Sequence, residues 1–475
     1  YVDFDKDRLL FQMNSSEGPC QCKADVNHDG REDIYIGGAS GQSGALFIQD
    51  QEGFQKKNKP FDQARSSEDL SCAFFDANGD GHLDLYVASG SSEFDVYALG
   101  LLDHLFFGDG RGAFKDSREK LPNKGFESSS IVVPFDFDQD GDMDLFVGGR
   151  QRAGYYGVPT DSHILENDGS GKFTNVTKDR ASLFLKLGMI TDALTVDLDQ
   201  DGREELIVVG HWMAPKVFKF HQNQFVDATD QFELGGYAGL YNTIAKGDFN
   251  QDGYVDLIFG NHGSNTRYHA STDYPLGLLV NDFDQNGSID LIVSMFDDKI
   301  EYPLVQLKEL SMQLPYIKKE YLKFSDFKTA TLEEIFGGKL DKGGYHLKVN
   351  ELKSFIWMND PNADYHIDEL PYQFQLFPIY DILVEDFNAD GHIDLLAAGN
   401  FLRAKPEMGS NMGGYTVFAE GNGTNAFKFV KNEYSGISIS EEIRSIESLI
   451  FKNHQTVVFG INDGPNKIFI KNESN

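Results

Sequence analysis

The chain has 475 residues, 25% of them charged and 40% hydrophobic, with a formal net charge of −33 and three cysteines. So acidic a balance argues against nucleic-acid binding through phosphate contacts. No apolar run approaches the roughly 18 residues of a membrane span, and no Cys-x-x-Cys pair offers a zinc site. The chain opens at Tyr1 without an initiator Met or a signal peptide, and reads as a mature or trimmed piece of a longer protein.

From Asp25 onward one ten-residue pattern recurs seven times: Asp-x-(Asp/Asn)-x-(Asp/Asn)-Gly-x-x-(Asp/Glu)-aliphatic. Oxygens at positions 1, 3, 5 and 9 can converge on one hard cation, position 7 can add a backbone carbonyl, and Gly at position 6 allows the sharp turn. The first loop offers Asp25, Asn27, Asp29, Arg31 and Asp33, and the second Asp76, Asn78, Asp80, His82 and Asp84. The third offers Asp136, Asp138, Asp140, Asp142 and Asp144, and the fourth Asp197, Asp199, Asp201, Arg203 and Glu205. The fifth has Asp248, Asn250, Asp252, Tyr254 and Asp256, and the sixth Asp282, Asp284, Asn286, Ser288 and Asp290. The seventh has Asp386, Asn388, Asp390, His392 and Asp394. Unmetallated turns need only one or two Asx residues, so seven copies with four oxygen donors each predict about seven Ca²⁺ sites. Weak calcium sites are practical outside the cytosol, which points to a secreted or cell-surface protein.

These are not EF-hands, which need a bidentate Glu at position 12 and flanking helices. Position 12 here is Ile36, Val87, Val147, Val208, Phe259, Val293 or Ala397, and the flanks are short β-forming runs such as Asp144-Leu-Phe-Val-Gly. Each loop is therefore the turn of a β-hairpin. A second hairpin follows most of them, at Leu46–Phe54, Leu105–Phe114, Ile164–Phe173, Val217–Phe225, Phe355–Asp360 and Thr416–Gly421. Two hairpins per repeat, at a period of roughly fifty to sixty residues, predict an all-β fold, a β-propeller of four-stranded blades. We expect residues 1–475 to be a single propeller domain of eight repeat units, seven with calcium loops, closing as seven or eight blades. The unit at Asp248 lacks a clear outer hairpin, and Leu9-Leu-Phe-Gln is a candidate closing strand. Residues 303–340 read as a helical insertion that caps the ring or carries a partner, with Thr331 opening a helix ended by Gly337-Gly338. For Cys20, Cys22 and Cys72 buried free thiols are the favoured reading, and a bridge from Cys20 or Cys22 to Cys72 is the alternative.

The loops and the aliphatic strands ending Gly-Gly or Ala-Gly resemble the FG-GAP/VCBS repeats of integrin α propellers and of many bacterial surface proteins. Asp3-Phe-Asp5, Arg8-Leu-Leu, Glu17-Gly-Pro19, Gly37-Gly-Ala-Ser and residues 310–337 look more closely like the C-terminal part of bacterial FG-GAP/VCBS proteins. Those are related to cartilage acidic protein and often carry an ASPIC/UnbV segment. The resemblance implies an extracytoplasmic calcium-binding propeller, secreted or on a bacterial outer membrane. Glu205 at position 9 and Asn286 at position 5 depart from the repeat pattern and predict weaker or distorted sites.

No nucleophile elbow, P-loop, His-Glu-x-x-His or Gly-x-Gly-x-x-Gly motif is present. Opposite the acidic turns, the loops between second and third strands carry Arg150, Arg152, Tyr155, Tyr156, His211, Trp212, Arg267, Tyr268 and Arg403. Such loops on a rigid ring suit a protein partner or a glycan ligand. The expected function is a calcium-stabilised noncatalytic binding or scaffold module in an extracellular or cell-surface assembly. The alternative is a polysaccharide lyase, with these Arg, Tyr and His residues supplying the base and the carboxylate-neutralising charge.

Overall fold

The computed structural model describes every residue except 123, 124, 126, 340–342, 361–364 and 472–475. The last residue of the expected helical insertion, 340, therefore lies outside the described residues. The repeat units form eight antiparallel sheets. Seven of them stand around a ring through their first strands: Gln21–Ala24, Asp69–Phe75, Ser128–Phe135, Met189–Val196, Thr243–Gly247, Ile379–Glu385 and Ile443–Phe451. Each of these packs beside the next, and the last packs beside the first. The protein is an all-β propeller.

The second strands explain why the sequence shows runs here and not alternation. Asp84–Ser89 and Asp144–Gln151 are buried along their whole length. A neighbouring blade covers each face, so the middle of each strand, residues 85–88 and 145–147, is apolar on both sides. Phenylalanines fill the seams. Phe184 meets Phe218 edge-on at 4.7 Å between the third and fourth ring sheets, and Phe61 meets Phe106 edge-on at 5.0 Å between the first and second.

The eighth sheet is mounted on the ring. It comprises Leu276–Asn281, Asp290–Asp297, Ile300–Pro303 and Tyr345–Val349. It is inserted between the second strand of the fifth ring sheet, Asp256–Gly260, and the third, Phe355–Met358. The hairpin at Phe355 thus belongs to the Asp248 unit, which had seemed to lack one, and the Asp282 unit lies nested inside it. One face of the inserted sheet packs Leu278, Val280 and Leu291 against Tyr156, Trp212 and Tyr268. The other packs Leu279, Phe283 and Ile292 under the helices Leu307–Gln313, Ile317–Glu320 and Leu332–Phe336. Thr331 caps the last of these helices in a reciprocal box with Glu334.

Two expectations are corrected. Leu9-Leu-Phe-Gln adds no closing strand: its one bridge is Gln12 with Ala404. Leu9, Leu10 and Phe11 instead bury themselves against the inserted sheet, and the seventh ring sheet has three strands among the described residues. Cys22 and Cys72 are disulfide-bonded between the first two inner strands, with Cα atoms 5.8 Å apart, so only Cys20 is a buried free thiol. Neighbouring inner strands bring residues remote in sequence within disulfide reach.

Candidate metal centres

Each of the seven acidic loops joins the first two strands of its sheet, six on ring sheets and the Asp282 loop on the inserted one. The backbone is the same throughout. Position-6 glycines have φ between 81° at Gly30 and 98° at Gly141, which L side chains avoid. Each glycine N–H donates to the position-1 carboxylate, at 2.8 Å for Asp25 and Asp282 and 3.1 Å for Asp136. The N–H of position 7 donates to Oδ1 of position 5 in every loop, for example His82 to Asp80 at 2.9 Å and Ser288 to Asn286 at 2.7 Å. Asn286 therefore leaves the loop backbone undistorted.

Position 4 adopts left-handed backbone, and three glutamines there reach the next loop. Gln139 donates to the carbonyl of Gly202 at 3.4 Å, Gln200 to that of Gly253 at 2.9 Å, and Gln251 to that of Gly391 at 2.6 Å. Gln251 skips the inserted sheet and links the fifth ring sheet to the sixth. Four turns, those at Asp136, Asp197, Asp248 and Asp386, are thus laced together along one rim.

The position-9 acids are sunk below this rim. Asp33, Asp84, Asp144, Glu205, Asp256, Asp290 and Asp394 are at most 1% exposed. In most of them one oxygen accepts the position-2 N–H and the other an N–H from the last residue of the third strand or the residue just after it. For Asp33 these are Val26 at 3.2 Å and Gln49 at 2.7 Å; for Asp256, Phe249 at 3.0 Å and Asn359 at 2.8 Å. Burial pushes Asp33 and Asp256 up to about 6, Asp84 and Glu205 to about 7 and Asp144 to about 8. In Asp144 the neighbouring Asp138, Asp142 and Asp140 add to the rise. A bound divalent ion would reverse this, because it favours the ionised form.

In three loops the carboxylates converge so that one oxygen from each residue lies within 4.8 Å of the others: Asp136, Asp138 and Asp144; Asp197, Asp199 and Glu205; and Asp282, Asp284 and Asp290. Each of these three acidic groups, with its position-9 acid buried and the other two open to solvent to some degree, could hold a metal ion. The Asp136 loop fits one best. Asp138 Oδ1 and Asp144 Oδ2 are buried there without a hydrogen-bond partner among the described residues, and an orphaned buried oxygen is costly unless a cation takes it. In the other four loops position 3 is Asn27, Asn78, Asn250 or Asn388, so an amide oxygen stands where the third carboxylate would be.

The opposite mouth of the ring differs from the open, Arg-rich rim that was expected. Arg150, Tyr156, His211, Trp212 and Tyr268 are buried. Arg150 pairs with Glu17 at 2.7 Å and donates to His211 Nδ1 at 3.1 Å. Tyr156 also reaches that nitrogen, at 3.2 Å, and Trp212 donates to the Tyr156 hydroxyl at 3.1 Å. With its Nδ1 lone pair facing these donors, His211 carries its proton on Nε2, 3.0 Å from Asn242 Oδ1. Burial and then Arg150 push its pKa well down, so it is neutral. The side chains lie beneath the inserted sheet and the N-terminal segment, which is why loops predicted to be exposed are core. Arg152 and Arg267 remain exposed, with Tyr155 and Arg403 half-buried. Arg152 lies over the Tyr155 ring at 5.5 Å, and Arg403 pairs with Asp463 at 2.7 Å. Residues 12–14, 16 and 17 also wall a polar cavity of about 270 Å³ at the ring centre, with Asp192, Tyr380, Asp381 and Arg444.

A match to the FG-GAP-like repeat family spans residues 25–87 and 197–259, which hold the loops at Asp25, Asp76, Asp197 and Asp248. With the ring described above, this defines the class of protein: a β-propeller carrying FG-GAP-like repeats. No curated protein matches the chain. Among solved structures it is similar to an Agrocybe aegerita lectin described as recognising non-reducing terminal N-acetylglucosamine, at 13% identity over 89% of this chain and 82% of that one, with a TM-score of 0.44. It is also similar to YCF48 bound to D1 peptide, at 7% identity over 97% and 94% of the two chains and a TM-score of 0.45. Sqt1 of Saccharomyces cerevisiae gives 10% identity over 97% of each chain and a TM-score of 0.43. Likenesses this distant carry no argument about function.

Proposed function

We propose that the protein is a calcium-stabilised, noncatalytic binding or scaffold propeller that works outside the cytoplasm in a cell-surface or extracellular assembly. The observation that carries the calcium reading is the pair of orphaned carboxylate oxygens on Asp138 and Asp144. The donors are all oxygens, as hard cations require. Asp136, Asp138, Asp140 and Asp144 would hold the ion in that loop, with the Asp142 carbonyl as a further donor, and the Asp282 loop offers a similar set. The ion would tie the two hairpin strands together and neutralise acids that otherwise repel. The Cys22–Cys72 disulfide supports an oxidising compartment. The kinship with bacterial ASPIC/UnbV-associated surface proteins belongs to the same proposal.

The partner, a protein or a glycan, would meet the accessible remnant of the mouth, where Arg152, Tyr155, Arg267 and Arg403 stand. The lyase reading loses its support because Arg150, Tyr156 and His211 are committed to one another, and a base whose lone pair is taken cannot abstract a proton. Thermal unfolding in EDTA and in millimolar Ca²⁺ tests the calcium reading: a melting temperature that does not move would sink it. Pull-down with wild-type protein and with an Arg152→Ala/Tyr155→Ala/Arg267→Ala variant tests the binding surface. Equal capture by both would move the partner site elsewhere.

A further inference from the structure

The Asp197 loop differs from its equivalents in what faces it. The strand register sets which residue stands opposite each position-9 acid on the third strand, one step beyond the registered pairs. It is Ile48, Phe107, Glu166, Met358 and Glu420 in the first, second, third, fifth and sixth ring sheets. In the fourth it is Lys219, next to the Leu206–Phe218 pair. Its ammonium is bonded to Asp199 and lies 3.4 Å from Glu205 Oε1 and 3.9 Å from Asp201 Oδ2. These are positions 3, 9 and 5 of the loop, the carboxylates that would ligate an ion. The stem is held in place, with Nζ 5.5 Å from the centroid of the Phe232 ring.

We propose that Lys219 is the resident cation of the Asp197 loop, so that this repeat is closed by an internal ammonium and takes up no calcium. The inference rests on the calcium reading of the other loops and deepens it. The Asp136 loop shows the contrast. Arg180 also approaches it, at 2.9 Å from Asp138 Oδ2, but its other arm is spent on Glu166 at 2.8 Å. Two ligand oxygens stay orphaned there, whereas no Asp197-loop carboxylate is among the buried atoms without a hydrogen-bond partner. A divalent ion entering the Asp197 loop would meet a like charge at contact distance and would have to expel it. Glu205 fits this arrangement: its Oε2 accepts the Leu198 N–H at 2.7 Å, and its Oε1 faces the ammonium at 3.4 Å.

Equilibrium dialysis with radiocalcium counts the bound ions, and melting in EDTA gives a readout that needs no metal. Asp199→Ala, which removes the position-3 oxygen, should leave the ion count unchanged, while Asp138→Ala loses one. Lys219→Met should gain one ion and melt lower than the wild type in EDTA, because four acids are then uncompensated. Loss of an ion from Asp199→Ala overturns the proposal, as does an unchanged count for Lys219→Met. If Lys219→Met does not fold, the Asp199→Ala count decides. If Asp138→Ala loses no ion, the calcium reading of that loop has failed instead, and Lys219 is judged by the EDTA melt: a lower temperature supports its role and an unchanged one overturns it.

Discussion

Arg150 and Glu17 pair at 2.7 Å across the mouth of the ring although they are 133 residues apart in sequence. The guanidinium is 2% exposed and the carboxylate 20%. Glu17→Ala should therefore destabilise by about 3 kcal/mol, because it strands a buried charge. Combining Glu17→Leu with Arg150→Met should recover much of that loss. Urea unfolding of the single and double variants measures the coupling, and additive losses would mean that the two side chains are not a unit.

Calcium should act through individual carboxylates. Asp144→Asn is expected to remove the contribution of one site, about 2.7 kcal/mol at a hundredfold excess of ion over Kd. In EDTA the same variant should be no less stable than the wild type, since it removes a buried acid pushed up to about 8. Melting curves with and without Ca²⁺ resolve the two effects, and a loss of equal size in both conditions would contradict the assignment.

Glu68 sits buried beside Glu93, Glu17 and Asp69, and burial is the main cause that pushes its pKa from 4.5 to about 8. The folded state then holds the proton more tightly than the unfolded chain. The stability this contributes is full below about 4.5 and is lost as pH rises to about 8. Glu68→Gln should consequently raise the melting temperature most above pH 8 and leave it nearly unchanged near pH 4.5. A difference between the two proteins that does not vary across that range would be the wrong outcome.

The Cys22–Cys72 bridge closes a separation of 50 residues between the first two inner strands. Reduction, or Cys72→Ser, should cost roughly 2–4 kcal/mol. Cys20 is fully enclosed, and burial pushes its thiol well up. A thiol reagent applied to the native protein should find no reactive group, and one equivalent should react only after unfolding without reductant.

Much of the architecture was legible in the chain. The seven loops announced themselves because a metal-shaped turn needs acids and a glycine at fixed spacing, and that requirement is local. Paired hairpins at a regular period were enough for a propeller, since a four-stranded unit with two apolar faces must be covered by neighbours. The helices at residues 307–336 were readable from Pro303, Thr331 and Gly337 for the same reason: caps and breakers act within a turn.

What depended on tertiary structure involved residues far apart in sequence. No local signal says that the hairpin at Phe355 pairs with Leu257 and Phe259 instead of with the nearer Asp282 unit, because any apolar edge strand satisfies the pairing pattern. The burial of Arg150, His211 and Trp212 follows from the inserted sheet and the N-terminal segment closing over them, and loop composition does not reveal what lies on top of a loop. Lys219 reads as an ordinary outward residue of a strand until the register places it opposite Glu205. The sequence alone determined the repeat, its turn chemistry and the class of fold, which depend on neighbours within ten residues. Only the tertiary structure decided which sheet is inserted, which mouth is sealed and which loop brings its own cation, because those depend on strand order and on contacts between distant segments.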